Sequence, residues 1–203
     1  MSDENDVNAR HAEAMHALKA ERDALMAEKR EGQGLLMVHT GDGKGKSTAA
    51  FGMVARALGW GYHVGVVQYI KGKWITGERQ FFRRFPDQVR YAVMGEGFTW
   101  DVADREKDIA AARAAWATSL EMIADPELHL VVLDELNIAL RYDYLDVAEV
   151  VEGLKNRPAD KHVCVTGRSA KPELLAAADL VTEFNAVRHP FDQGFKAQKG
   201  VDF

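Results

Sequence analysis

The chain has 203 residues, 47% of them hydrophobic, which is enough for one closed core with room for an appendage. Its formal charge of −5 argues against a phosphodiester backbone as the main partner, and so against a nucleic-acid-binding protein. One cysteine, Cys164, excludes an intramolecular disulfide framework, and no apolar stretch reaches the roughly 18 residues that cross a bilayer. The charged N-terminus is unlike a secretion signal, so the expectation is a cytoplasmic protein with no membrane partner.

Residues 6–30 lack Gly and Pro and are rich in Ala, Glu, Lys and Arg, a composition that predicts one long polar helix. Met15, Leu18, Leu25 and Met26 give it a thin apolar stripe, interrupted by Arg22, so it buries little of itself. Residues 1–32 therefore read as an appendage that packs on a partner subunit or closes over a ligand, and 33–203 as the main domain.

The apolar run Leu35-Leu36-Met37-Val38 leads into Gly41-Asp42-Gly43-Lys44-Gly45-Lys46-Ser47-Thr48, and the alanine-rich stretch Ala49 to Leu58 leaves it. Strand, glycine-rich turn and helix in that order is the context a phosphate-binding loop requires. Glycines let successive N–H groups converge on an anion, and the next helix adds its unpaired N-terminal N–H groups. Lys46 would supply a point charge and the Ser47 hydroxyl a Mg²⁺ ligand. The usual pattern begins with glycine at the position held here by Thr40, and the first glycine arrives one residue later, at Gly41. Thr40, Gly41, Asp42, Gly43, Lys44, Gly45, Lys46, Ser47 and Thr48 are the candidate nucleotide contacts.

His63 to Tyr69 is mostly apolar and reads as a central strand of a parallel sheet. The loop after it carries Lys71 and Lys73 at the edge where ligands gather in open α/β sheets, although a solvated basic loop fits equally well. Glu78 to Phe85 reads as a helix ended by Pro86, and Val89 to Met94 as a strand. The turn Gly95-Glu96-Gly97-Phe98-Thr99-Trp100-Asp101 carries two large aromatics, either a plug on the core or a platform for a flat ligand. Asp104 to Ala124 is an alanine-rich helix whose Trp116, Leu120 and Ile123 fall at core spacing. Leu128 to Leu133 is an apolar strand ending in Asp134-Glu135, the form of a Walker B element, whose carboxylates bind Mg²⁺ directly or through water. Asp146 to Asn156 is helical. His162 to Thr166 is a strand, with Cys164 read as a buried structural thiol. At its end Arg168 suits a phosphate contact or a structural ion pair. Pro172 to Ala178 is helical, Leu180 to Phe184 is the last strand, and the tail from Val187 is expected to wrap over the domain. The alternation predicts an α/β, three-layer, P-loop NTPase-like (RecA-like) domain with a mostly parallel central sheet and an N-terminal helix appendage.

The residues thus point to a Mg²⁺–nucleoside triphosphate site, on a fold that hosts many reactions. No guanine-reading Asn-Lys-x-Asp is present, which disfavours a GTPase, and Arg79, Arg83 and Arg84 are a weak candidate for a kinase lid. A P-loop ATPase or phosphotransferase and a non-catalytic ATP-binding module remain as alternatives.

Several blocks together resemble the corrinoid adenosyltransferases of the BtuR/CobO type. They are Thr-Gly-Asp-Gly-Lys-Gly-Lys-Ser-Thr-Ala-Ala-Phe-Gly at 40–52, Val-Gly-Val-Val-Gln-Tyr-Ile-Lys-Gly at 64–72 and Gly-Phe-Thr-Trp at 97–100. The others are Val-Val-Leu-Asp-Glu-Leu at 131–136, Val-Thr-Gly-Arg at 165–168 and Lys-Ala-Gln-Lys-Gly-Val-Asp-Phe at 196–203. The resemblance implies that Co(I) of a reduced corrinoid attacks C5′ of ATP and tripolyphosphate leaves, in adenosylcobalamin biosynthesis and salvage. It implies ATP held in the sense opposite to most P-loop proteins, with Lys46 and Arg168 on the phosphates. Ser47 and Glu135 become Mg²⁺ (or Mn²⁺) ligands, supported by Asp134. It gives Phe98 and Trp100 the task of excluding the lower axial base of the corrinoid. It also implies an electron-donating, flavodoxin-like reductase and a homodimer in which the N-terminal helix covers the partner's site.

Overall fold

The computed structural model describes residues 2–29, 32–70, 76–93 and 105–202, which fall into two units, 1–33 and 34–203. The first unit is one helix, α1 (Ser2–Ala27), and every side chain described along it is exposed. Its apolar stripe stays open, with Met15, Leu18, Leu25 and Met26 all more than half exposed.

The second unit is a six-stranded sheet wrapped by helices. Its strands are β1 (Leu36–Thr40), β2 (His63–Gln68), β3 (Val89–Val93), β4 (Leu128–Asp134), β5 (His162–Thr166) and β6 (Leu180–Glu183). Between them run α2 (Lys46–Gly59), α3 (Gly77–Phe82), α4 (Arg105–Ala124), α5 (Leu136–Arg141), α6 (Val147–Lys155) and α7 (Pro172–Ala177). A 3-10 turn, Pro190–Gln193, follows β6. The strand order is β3-β2-β4-β5-β1-β6, and all five pairings are parallel rather than mostly so.

Side chains alternate across a strand, so a sheet covered on both faces needs apolar residues at consecutive positions. In β4, Val131 and Leu133 enter the cluster with Trp116, Leu136, Leu140, Leu154 and Leu174. Leu130 and Val132 enter the other, with Phe51, Val54 and Phe82. Helices α4 to α7 thus cover one face and α2 and α3 the other, which gives the expected three layers. Side chains cap the N-termini of α3 and α6: Thr76 Oγ1 accepts from the Arg79 N–H, and Asp146 Oδ1 accepts from Ala148 and Glu149.

Trp116 and Ile123 are buried as expected, but Leu120 is 38% exposed and is not a core residue. The alanine-rich pattern of α4 leaves its inner face poorly defined, and Ser119, fully buried, takes the inward place by bonding to Tyr69 Oη at 2.8 Å. Gly153 of α6 permits the close approach to α4, since a Cβ there would fall 2.7 Å from the Trp116 ring. Cys164 is fully buried, and burial pushes its thiol up to about 12, so it remains an inert thiol.

Candidate active site

Strands β4, β5 and β1 are neighbours and parallel, so their C-terminal ends deliver three loops to one edge of the sheet. From β1 comes the glycine loop. Gly41 and Gly45 take φ of 92° and 112°, in the left-handed region that side chains disfavour. The loop is backed by the chain leaving β6: a Cβ on Gly41 or Gly43 would lie 2.5 or 2.7 Å from the Phe184 carbonyl oxygen. Gly43 N–H donates to that oxygen at 2.6 Å, and Phe184 N–H donates to Thr40 O at 2.9 Å. One loop N–H is therefore committed to the protein and does not face an anion, a departure from the simple cradle. Thr40 also serves the scaffold, since its Oγ1 accepts from Ala170 N–H at 3.1 Å.

Lys46 opens α2 and is buried. Its Nζ donates to Gly43 O at 2.5 Å, and its carbonyl is 3.1 Å from Nδ1 of the buried His39. Burial pulls the Lys46 ammonium below its usual range. Glu135 opposes that fall and Arg168 adds to it.

From β4 come the two carboxylates, which part company at once. Asp134 ends the strand almost fully buried. Thr166 Oγ1 donates to its Oδ1 at 2.8 Å, Gln68 Nε2 to its Oδ2 at 3.2 Å, and Ser47 also bonds it. Burial pushes its carboxyl up against those three bonds. Glu135 turns into a left-handed conformation, φ 63° and ψ 21°, unusual for a residue with a side chain and a form of strain that collects at functional sites. Its N–H donates to Thr166 Oγ1 at 3.0 Å. Burial, with the adjacent Asp134, pushes the Glu135 carboxyl up to about 7, while Lys46 and Arg168 oppose the rise.

From β5 comes the turn Gly167-Arg168. Gly167 has φ 128°, and a Cβ there would fall 2.8 Å from Asn137 Cβ and 3.2 Å from Glu135 Oε2. Buried Asn137 donates to Gly167 O at 2.9 Å and holds this turn against α5.

The three loops enclose a cleft of about 470 Å³. It is lined by the loop from Gly43 to Thr48, by Glu135, Ile138 and Arg168, and by His189, Val201 and Asp202 of the C-terminal segment. Gly43, Lys44, Gly45, Lys46, Ser47, Thr48, Glu135 and Arg168 are thus brought together in one cleft. Thr40, Gly41 and Asp42 do not line the cleft, and Asp134 stands behind Glu135. Phe98, Trp100, Lys71 and Lys73 lie outside the described residues. The motifs do not reveal Thr166, which ties the Asp134 carboxylate to the Glu135 backbone N–H, or Asn137. Their signal is a hydroxyl at the end of a strand and an amide just after an acid pair, neither distinctive without the strand order.

A glycine loop on β1, an acid pair on β4 and an arginine turn on the strand between them define a P-loop nucleotide-binding domain. The flagellar accessory protein FlaH from Methanocaldococcus jannaschii shares that fold, with a TM-score of 0.50 at 14% identity over 75% of this chain and 71% of its own. The family model of the ATP:corrinoid adenosyltransferase BtuR/CobO/CobP matches residues 32–203. A corrinoid adenosyltransferase of Pseudomonas aeruginosa is 55% identical over 203 residues, the whole of both chains. Corrinoid adenosyltransferase CobA of Salmonella typhimurium is 46% identical over 203 residues, again all of both chains. The chain belongs to the ATP:corrinoid adenosyltransferase family, and is an enzyme of ATP-dependent corrinoid adenosylation in cobalamin biosynthesis.

The raised Glu135 carboxyl makes a stability prediction for the protein without nucleotide or divalent metal. Between pH 4.5, its ordinary value, and about 7, the folded chain binds more protons at this site than the unfolded chain. Its contribution therefore grows more unfavourable as pH rises through that window. Glu135→Gln removes the term. In thermal melts the variant should match wild type near pH 4.5 and be more stable at pH 8, by up to about 3 kcal/mol. Equal stability at pH 8 would show that Glu135 is not destabilised by its surroundings.

Proposed function

We propose that the cleft binds the triphosphate of ATP so that C5′ faces the corrinoid, and that Co(I) displaces tripolyphosphate from that carbon. The observation that carries this reading is the convergence of Lys44, Lys46 and Arg168 on one cleft at the sheet edge. The cobalt supplies the electron pair of the new Co–C bond, the C5′–O bond breaks, and its electrons leave with the polyphosphate. No proton moves, so no general base is needed. The protein's task is to stabilise negative charge on the leaving group, which fixed cations and loop N–H groups do without reorganising.

Ser47, Asp134 and Glu135 fit a Mg²⁺ (or Mn²⁺) ion. They offer only oxygen donors, and Asp134 is already bonded to Ser47. When bound it would neutralise phosphate charge.

A second reading has one observation in its favour. A Glu135 carboxyl near 7 is also poised to take a proton from water, as an ATP-hydrolysing or phosphotransfer enzyme would need. That chemistry breaks a P–O bond and makes ADP, not tripolyphosphate.

Phe98 and Trp100 we assign to the redox step, filling the space below the corrinoid and keeping its axial base away. The exposed stripe of α1 supports a covering role at the corrinoid site of a second subunit in a homodimer. A flavodoxin-like reductase would supply the electron, in the cytoplasm. Among the described residues no helix is long and apolar enough to cross a membrane.

Lys46→Ala is expected to abolish adenosylation in a folded protein, a loss of at least about 2 kcal/mol for a charge-assisted phosphate contact. Near-normal turnover would remove the phosphate assignment. In the same assay, deleting residues 1–33 should lower corrinoid turnover more than ATP affinity, whereas loss of ATP binding first would end the covering role.

Phe98→Ala and Trp100→Ala should fail with a weak biological reductant and recover towards wild type when the corrinoid is supplied as Co(I), with ATP binding within a few-fold throughout. A five-coordinate Co(II) keeps its electron-accepting orbital high, and supplying Co(I) bypasses that step. If both assays fall together in a protein that melts earlier, the two aromatics belong to the core, where losing one costs roughly 3–5 kcal/mol.

A further inference from the structure

The segment that follows β6 forms one wall of the cleft through His189, Val201 and Asp202. It has little hold on the apolar core. No residue of its 3-10 turn is buried, and Val187, Phe191, Phe195 and Val201 are all more than half exposed. Charge fixes its far end. Asp202 is paired with the Lys44 ammonium, and its side chain is only 12% exposed. The same carboxylate closes a small turn: Oδ2 accepts from the Gln198 N–H at 2.7 Å, and the Asp202 N–H donates to Gln198 O at 2.8 Å.

Lys44 is a phosphate-loop residue on the wall of the same cleft as Lys46 and Arg168. A protein carboxylate therefore rests on a cation in a cleft whose other cations, Lys46 and Arg168, suit a polyanion. A carboxylate oxygen and a phosphate oxygen make the same charge-assisted bond to an ammonium, and two anions side by side repel. We propose that Asp202 stands at Lys44 in the place of a phosphate oxygen, so that polyphosphate and the C-terminal segment compete for one cation. ATP entering the cleft takes Lys44 and loosens the turn from Gln198 to Asp202. After the reaction Asp202 reclaims Lys44 and hastens the departure of a highly charged product. This inference rests on the assignment of the cleft to the phosphates of ATP.

The test is equilibrium binding of inorganic tripolyphosphate to the full chain, as wild type, Asp202→Asn, Asp202→Glu and Lys46→Ala. Competition predicts several-fold tighter binding by D202N, near-wild-type binding by D202E, and weak binding by K46A. It also predicts that tripolyphosphate accelerates tryptic cleavage after Lys199 in wild type, while D202N is cut quickly with or without it. If wild type binds and D202N binds equally or more weakly, Asp202 is a simple anchor and the competition is refuted. If wild type fails to bind tripolyphosphate, or K46A binds it as well as wild type does, the phosphate assignment itself falls and takes this proposal with it.

Discussion

A carboxylate buried at the end of a central strand is tolerated only when its oxygens are hydrogen-bonded, because an unpaired buried charge costs several kcal/mol or forces a proton onto the group. Asp134 is such a carboxylate, and its partners come from three other elements: Gln68 from β2, Thr166 from β5 and Ser47 from α2. Satisfying it fixes those elements relative to β4 at the one edge where the loops open. Thr166 then uses its remaining capacity to accept from Glu135 N–H, which holds that residue in its left-handed turn. Lys46, next to Ser47 on α2, is carried into place by the same constraint.

The charges of the cleft are mutually dependent. Burial pulls Lys46 down and pushes Glu135 up, and each opposes the other's shift. Neither group is at ease in the protein alone, which suits a site designed around a ligand bearing several charges of its own. In the proposed binding mode a triphosphate would supply anions for Lys46, Lys44 and Arg168, and a divalent cation at its oxygens would favour the ionised Glu135. Binding and metal uptake would thereby be linked through residues that stand close together at the ends of three adjacent strands.

Much of this was legible in the sequence, and for identifiable reasons. Strands β1, β2, β4 and β5 are short apolar runs, because a sheet covered on both faces allows no alternation, and such runs stand out against alanine-rich and charged helices. The glycine loop and the Asp134-Glu135 pair are local motifs with a fixed context. What escaped is non-local or too small to have a period. The bridge from Thr166 to the Asp134 carboxylate spans 32 positions, and that from Asn137 to Gly167 spans 30. The six residues of α5 are too few to show helical spacing. The Gly43 N–H is taken by Phe184, a contact only the strand order creates. Leu120 misled because alanine leaves the inner face of α4 ambiguous, and the tail gave no pattern because its far end is tied by charge and not by apolar burial.

In the proposed reaction the bond broken lies between C5′ and oxygen and not between phosphorus and oxygen. The most direct measurement is phosphorus NMR of the quenched products after Mg²⁺-ATP meets chemically reduced Co(I) corrinoid, with the visible spectrum followed alongside. Tripolyphosphate should form in step with the Co–C bond, with no ADP. ADP and inorganic phosphate appearing without alkylated corrinoid would contradict it.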